Sequence, residues 1–198
     1  MFKLSASLVK ELREKTGSGM MDCKKALAET DGDINSAIDW LRAKGLSAAA
    51  KKSNRTTAEG LVSFYIEKNK ASIIEVNAET DFVSRNDMFQ EFVKKVAKLS
   101  IITRGNLEGL LEQKISDNNN SVSEELTSLI STIGENMNIR RSDFIEVNKG
   151  IIASYMHSSV AEGLGKIGVL VSIEGDTSSS LITNFGKKLA MHIAASNP

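Results

Sequence analysis

Gly163, Gly165 and Gly168 stand at the G-x-G-x-x-G spacing of a dinucleotide-binding turn, in which glycines let the backbone approach a pyrophosphate at a helix N-terminus. The chemistry would be nicotinamide-dependent redox, but the run leads into Val169-Leu170-Val171-Ser172-Ile173, which has the composition of a strand. A hairpin turn is the expected structure. Gly165-Lys166 is not a phosphate loop either, because Ile167 stands where a metal-binding Ser or Thr is needed. His157 and His192, with Cys23 far away in the chain, do not have the spacing of a metal cluster. No nucleophile, base and orienter can be assembled from the remaining residues. The chain therefore reads as a binding protein rather than an enzyme, with no cofactor.

The stretch that stands out is Asn77-Ala78-Glu79-Thr80-Asp81-Phe82-Val83-Ser84-Arg85-Asn86. It lies between a β-type run and a helical one, and polar residues surround Phe82 and Val83, the two side chains least suited to water. Either the loop folds back and buries them, or a partner does. Met20 and Met21 raise a similar choice at the tight junction Thr16-Gly17-Ser18-Gly19-Met20-Met21: they fill gaps in their own bundle or form an adaptable contact surface.

The elements that must position these residues are legible from periodicity and punctuation. Residues 1 to 45 read as three short helices. Ser5 caps the first, which stops at Gly17; Ser18 caps the second, with Met20, Cys23 and Leu27 along its seam; Asp33 caps the third, which ends at Gly45. Leu46 to Thr57 reads as small and basic residues grading into a linker. From Gly60 the period changes to two: Val62, Phe64 and Ile66, then Ile74 and Val76 after the turn Lys68-Asn69-Lys70, predict an antiparallel hairpin. Asp87 and Gln90 match a capping box for a helix whose Phe89, Phe92, Val93, Val96 and Leu99 would pack on that hairpin. A short helix follows around Leu107 to Ile115, then a loop at 117–120, a helix capped by Ser121 and Glu124 and stopped by Gly134, and a strand from Ile139 to Val147.

After Gly150 the pattern starts again. Gly60-Leu61-Val62-Ser63-Phe64-Tyr65 has a counterpart in Gly150-Ile151-Ile152-Ala153-Ser154-Tyr155, and Phe92-Val93-Lys94-Lys95-Val96-Ala97 in Phe185-Gly186-Lys187-Lys188-Leu189-Ala190. This predicts two related α+β subdomains, and a division into 1–53, 54–149 and 150–198. The second copy has Asp176-Thr177-Ser178-Ser179 where the first has Thr80-Asp81-Phe82-Val83, and it lacks the helix and strand of 121–147. That incompleteness suggests a truncated chain.

Twenty-five basic and 25 acidic residues leave no net charge, so the field of a general nucleic-acid or anionic-membrane binder is missing. One cysteine cannot form an internal disulfide, the N-terminus lacks a signal-like apolar region, and no run approaches a membrane span. These point to a soluble protein of the cytoplasm.

Two motifs, Thr16-Gly17-Ser18-Gly19-Met20-Met21-Asp22-Cys23-Lys24-Lys25-Ala26-Leu27 and Thr80-Asp81-Phe82-Val83, carry a resemblance to the bacterial translation elongation factor Ts family. It extends through Gly134-Glu135-Asn136-Met137-Asn138-Ile139-Arg140-Arg141, Tyr155-Met156-His157 and Ala190-Met191-His192-Ile193-Ala194-Ala195-Ser196, covering essentially the whole chain. The resemblance implies a ubiquitin-associated-like N-terminal module followed by a two-subdomain core. It also implies guanine-nucleotide exchange on elongation factor Tu during translation elongation. On that reading Thr80, Asp81, Phe82 and Val83 enter the partner beside its magnesium and GDP phosphates, while Met20, Met21 and His157 bind the partner. Most bacterial members continue with a helical insertion and a C-terminal segment that this chain does not show. The alternative is a ribosome- or RNA-associated adaptor using the module lysines with Arg140 and Arg141.

Overall fold

The computed structural model describes residues 4–115, 119–175 and 180–196. Its architecture is α+β: helices first, then antiparallel sheets with helices packed on them. Three helices open the chain, α1 (Ala6–Thr16), α2 (Met20–Glu29) and α3 (Ile34–Lys52). The Ser5 hydroxyl accepts the Leu8 N–H at 3.2 Å, the Asp33 carboxylate accepts the Ser36 N–H at 2.7 Å, and Gly17 closes α1 at φ 67°. These caps satisfy donors and acceptors that a helix end leaves open. Val9, Leu12, Cys23, Ala26, Leu27, Ala37 and Leu41 form a small core of their own.

Two expectations fail here. Gly19, not Ser18, is the N-cap of α2 and brings no side-chain bond; its carbonyl accepts the first intrahelical bond, from the Cys23 N–H. Gly45 does not end α3. It is buried against the core helix α6 (Val122–Ile133), where an added Cβ would lie 3.8 Å from Thr127 Cγ2 and 3.9 Å from Ser131 Cβ. A Cβ there would make ordinary contacts only, and the alanine-rich continuation to Lys52 is a strong helix former that carries α3 past this position.

The main sheet has the order β3-β2-β1-β5, antiparallel, built from β1 (Glu59–Glu67), β2 (Lys70–Ala78), β3 (Met137–Glu146) and β5 (Leu164–Gly165). A two-residue turn, with Lys68 at φ 55°, pairs Glu67 with Lys70 and so sets Leu61 opposite Val76. The face against α4 (Asp87–Ser100) is consequently Leu61, Ile74, Val76 and Ala78, joined by Phe89, Phe92, Val93 and Val96. Val62, expected to share a face with Val76, points the other way, towards Gly168. α5 (Leu107–Glu112) and α6 complete this larger core through Leu110, Leu129 and Ile130. The expected capping box at α6 is present, whereas α4 is capped by Asn86 rather than Asp87: its side chain accepts from the Met88 and Phe89 N–H groups.

The second sheet pairs β4 (Gly150–His157) with β6 (Ile167–Glu174), and α7 (Ser180–Ser196) packs on both strands. The glycine run at 163–168 does lead into a strand, but it is not a simple hairpin turn. β5 leaves the second sheet to pair with β1 in the main one, Val62 opposite Gly165 and Ser63 opposite Leu164. Glycine is needed for closeness: a Cβ on Gly165 would lie 2.6 Å from Met156 Cγ, and one on Gly168 2.7 Å from Val62 Cγ1. The copies also differ in cover. Phe92 is 4 % exposed within the core that α5 and α6 complete, and its counterpart Phe185 is 58 % exposed. The loop at 117–120 lies partly, and the second-copy segment at 176–179 wholly, outside the described residues.

Candidate functional site

The site begins where β2 leaves the sheet at Ala78, paired with Met137 of β3. Beyond that last pair, side chains extend the hold on the chain. The Glu135 carboxylate accepts the Thr80 N–H at 3.0 Å and the Thr80 hydroxyl at 2.7 Å. Reciprocally, the Glu79 carboxylate accepts the Asn136 N–H at 2.5 Å and an Arg55 N–H at 3.3 Å. Asn136, itself buried, donates to the Ser53 and Arg55 carbonyls.

On the far side of the loop, Val83–Arg85 forms one 3-10 turn. Ser84 N–H donates to the Asp81 carbonyl, Arg85 N–H to that of Phe82 and Asn86 N–H to that of Val83. The Ser84 hydroxyl bonds the Gly60 carbonyl at 3.2 Å and Gln90 Nε2 bonds the Ser84 carbonyl at 2.8 Å. The two apolar residues of the loop then part company. Val83 is 3 % exposed and belongs to the main core, while Phe82 is 76 % exposed. Each half of the sequence alternative holds for one residue: the loop buries Val83 and leaves Phe82 to solvent or a partner. Asp81 is exposed beside it and Thr80 half-buried.

Met20 and Met21, in the first turn of α2, are 52 % and 73 % exposed. They are not among the side chains of the small core, to which α2 contributes Cys23, Ala26 and Leu27. Cys23 behind them is fully buried, and desolvation raises its thiol pKa above the usual value, which keeps it an unreactive packing group.

His157 is exposed at the end of β4, its Nδ1 3.1 Å from the Tyr155 hydroxyl. Its carbonyl accepts the Lys166 N–H at 3.2 Å, and Lys166 Nζ meets Glu59 Oε2 at 2.7 Å. Glu59 is the β1 residue paired with Ala78. Through Lys166, the backbone of His157 is thus linked to Glu59 of β1. Met20 and Met21 stand apart on the three-helix unit.

Some cations of the RNA alternative have partners within the chain. Arg141 Nε lies 2.7 Å and Arg140 Nε 3.9 Å from Glu75 oxygens, and Lys25 stands 5.9 Å over the Trp40 ring. Among the described residues no group of three or more His, Cys, Asp and Glu could hold a metal, and no helix is long and apolar enough to cross a membrane.

Glu79, Glu135 and Asn136 support the loop from positions that no periodicity marks. The available signal was the polar Glu135-Asn136 pair directly after the Gly134 stop, which must satisfy the start of a strand.

A profile of the family Elongation factor TS matches residues 79–198, which include the whole Phe82 loop from Glu79 onwards and both sides of the Glu79–Asn136 exchange. The chain belongs to the elongation factor Ts family. Curated relatives bearing the name elongation factor Ts align over all 198 residues: those of Methylobacterium radiotolerans and Rhodospirillum centenum are each 55 % identical, and that of Rhizobium etli 52 %. The chain covers 64 % of the length of each of these three relatives. The fold described above, helices followed by a strand-containing core, is the one expected for this family.

Proposed function

We propose that the chain acts as a guanine-nucleotide exchange factor on elongation factor Tu in the cytoplasm, promoting GDP release so that GTP can bind during translation elongation. The observation that carries this reading is Phe82, a large apolar side chain 76 % exposed on a turn that its neighbours hold in place. Family membership supplies the partner.

Exchange of this kind needs no bond-making group and no cofactor. Binding energy from the interface stabilises a partner conformation in which contacts to magnesium and phosphate are broken. Burying Phe82 contributes about 1.5–3 kcal/mol, roughly ten- to a hundredfold in an equilibrium. Thr80 and Val83 anchor the loop on either side, Asp81 sits with Phe82 at its exposed tip, and Met20, Met21 and His157 supply docking contacts elsewhere. By linkage, nucleotide with magnesium weakens the factor's grip by the same factor that the factor weakens nucleotide binding.

The test is binding to elongation factor Tu with and without added GDP and magnesium. Tight binding that is lost on adding them is expected. Binding indifferent to nucleotide would refute exchange, and a steep salt dependence of RNA binding would move the reading to the adaptor.

A further inference from the structure

We propose that the Glu135-Asn136 turn between α6 and β3 is the positioning device of the loop: it sets where Phe82 stands and ties that position to the segment leaving the three-helix unit. This rests on the exchange reading and adds Glu135 and Asn136 to its working residues.

The ladder of β2 with β3 ends at Ala78 opposite Met137. Beyond it the two chains exchange carboxylates, Glu135 taking the Thr80 N–H and hydroxyl, Glu79 taking the Asn136 N–H. Charge-assisted bonds of this type are about twice as strong as neutral ones. They hold Thr80 on one side, while buried Val83 and Ser84 hold the other. Only Asp81 and Phe82 span the interval, so the loop has little freedom while both anchors stand. Without the Glu135 anchor, Thr80, Asp81 and Phe82 run between Glu79, still held by Asn136 and Arg55, and buried Val83, and the direction of Phe82 is less narrowly set.

The same turn references the three-helix unit. Asn136 Nδ2 holds the Ser53 and Arg55 carbonyls just after α3, and Arg55 reaches back to Glu79. The end of α3 and the base of the loop are therefore fixed to one pair of residues. Docking through Met20 and Met21 then aims Phe82, in place of merely raising its local concentration.

The test uses the full chain and fluorescent GDP bound to elongation factor Tu. Removing two hydrogen bonds to one carboxylate in Glu135→Ala should slow GDP release at saturating factor about tenfold or more, with docking affinity within about threefold of wild type. Thr80→Val, which removes only the hydroxyl donor, should slow release by roughly threefold, and the double variant should be no slower than Glu135→Ala alone because both lose the same bond. Arg55→Met, on the exposed side of the network, is the variant that leaves the core untouched; it should reduce release while sparing docking. A purely structural role would lower docking and release in parallel or multiply the two single effects, and either result overturns the proposal. Release within twofold of wild type in Glu135→Ala beside a slowed Phe82→Ala overturns the positioning role alone; an unchanged rate in Phe82→Ala overturns the exchange reading beneath it.

Discussion

Adjacent residues of the loop should respond to truncation in opposite ways. Val83 is 3 % exposed within the main core, among side chains that include Leu61, Val76 and Phe89, whereas Phe82 is 76 % exposed. Val83→Ala removes two buried methyl groups and leaves a cavity at the base of the 3-10 turn, a loss of about 1–3 kcal/mol when one-carbon core truncations are scaled to two. Phe82→Ala removes a larger side chain but little buried area, so its stability should stay within about 0.5 kcal/mol of wild type. Urea unfolding followed by circular dichroism measures both, with a shifted midpoint and an unchanged slope expected for Val83→Ala. In a protein of this size a 2 kcal/mol loss corresponds to roughly 4–8 °C in melting temperature. A Phe82→Ala midpoint as low as that of Val83→Ala would mean that Phe82 packs on the chain in solution, and the division of the loop into anchor and projecting tip would be wrong.

Two further outcomes follow from the same geometry. Met20→Ser with Met21→Ser should weaken docking on elongation factor Tu by about tenfold or more, the scale of two partly buried side chains, while leaving the melting temperature unchanged; a lowered melting temperature would return both residues to the small core. For pH, the Ser36 N–H holds the Asp33 carboxyl below its usual pKa, and the Ser121 N–H does the same for Glu124. Depressed values mean that this stability is complete above the ordinary carboxylate pKa of about 4 and is lost as pH falls through the lower folded-state values. Stability should therefore decline below about pH 4, and Asp33→Asn, which keeps a capping oxygen, should flatten that decline in urea titrations between neutral and acid pH.

Several helix beginnings were legible because their caps act locally, although at α4 the neighbouring Asn86, not Asp87, proved to be the cap. Ser5, Asp33 and the Ser121–Glu124 box work through bonds spanning three residues, which a sequence displays directly. What escaped were features decided by distant partners. Gly45 looks like a stop because its neighbours are small and basic, but it packs against α6 and the helix runs on through Ala48, Ala49 and Ala50 to Lys52. The face of β1 depends on turn register, so Leu61 faces the core and Val62 the second sheet. Strand β5 is two residues long, too short to leave a pattern, yet it joins the second sheet to the first. At the site, the sequence singled out the Phe82 loop but could not separate Phe82 from Val83, because one turn of 3-10 helix decides which points inward. The braces Glu135 and Asn136 lie more than fifty residues from Thr80 and Glu79 along the chain, and no periodicity connects them.

Fluorescent GDP release from elongation factor Tu, measured at saturating wild-type chain and at saturating Phe82→Ala, addresses the exchange reading most directly. The account predicts that wild type accelerates release and that Phe82→Ala slows it roughly ten- to a hundredfold while still docking through Met20, Met21 and His157. Equal release rates for the two proteins would contradict it.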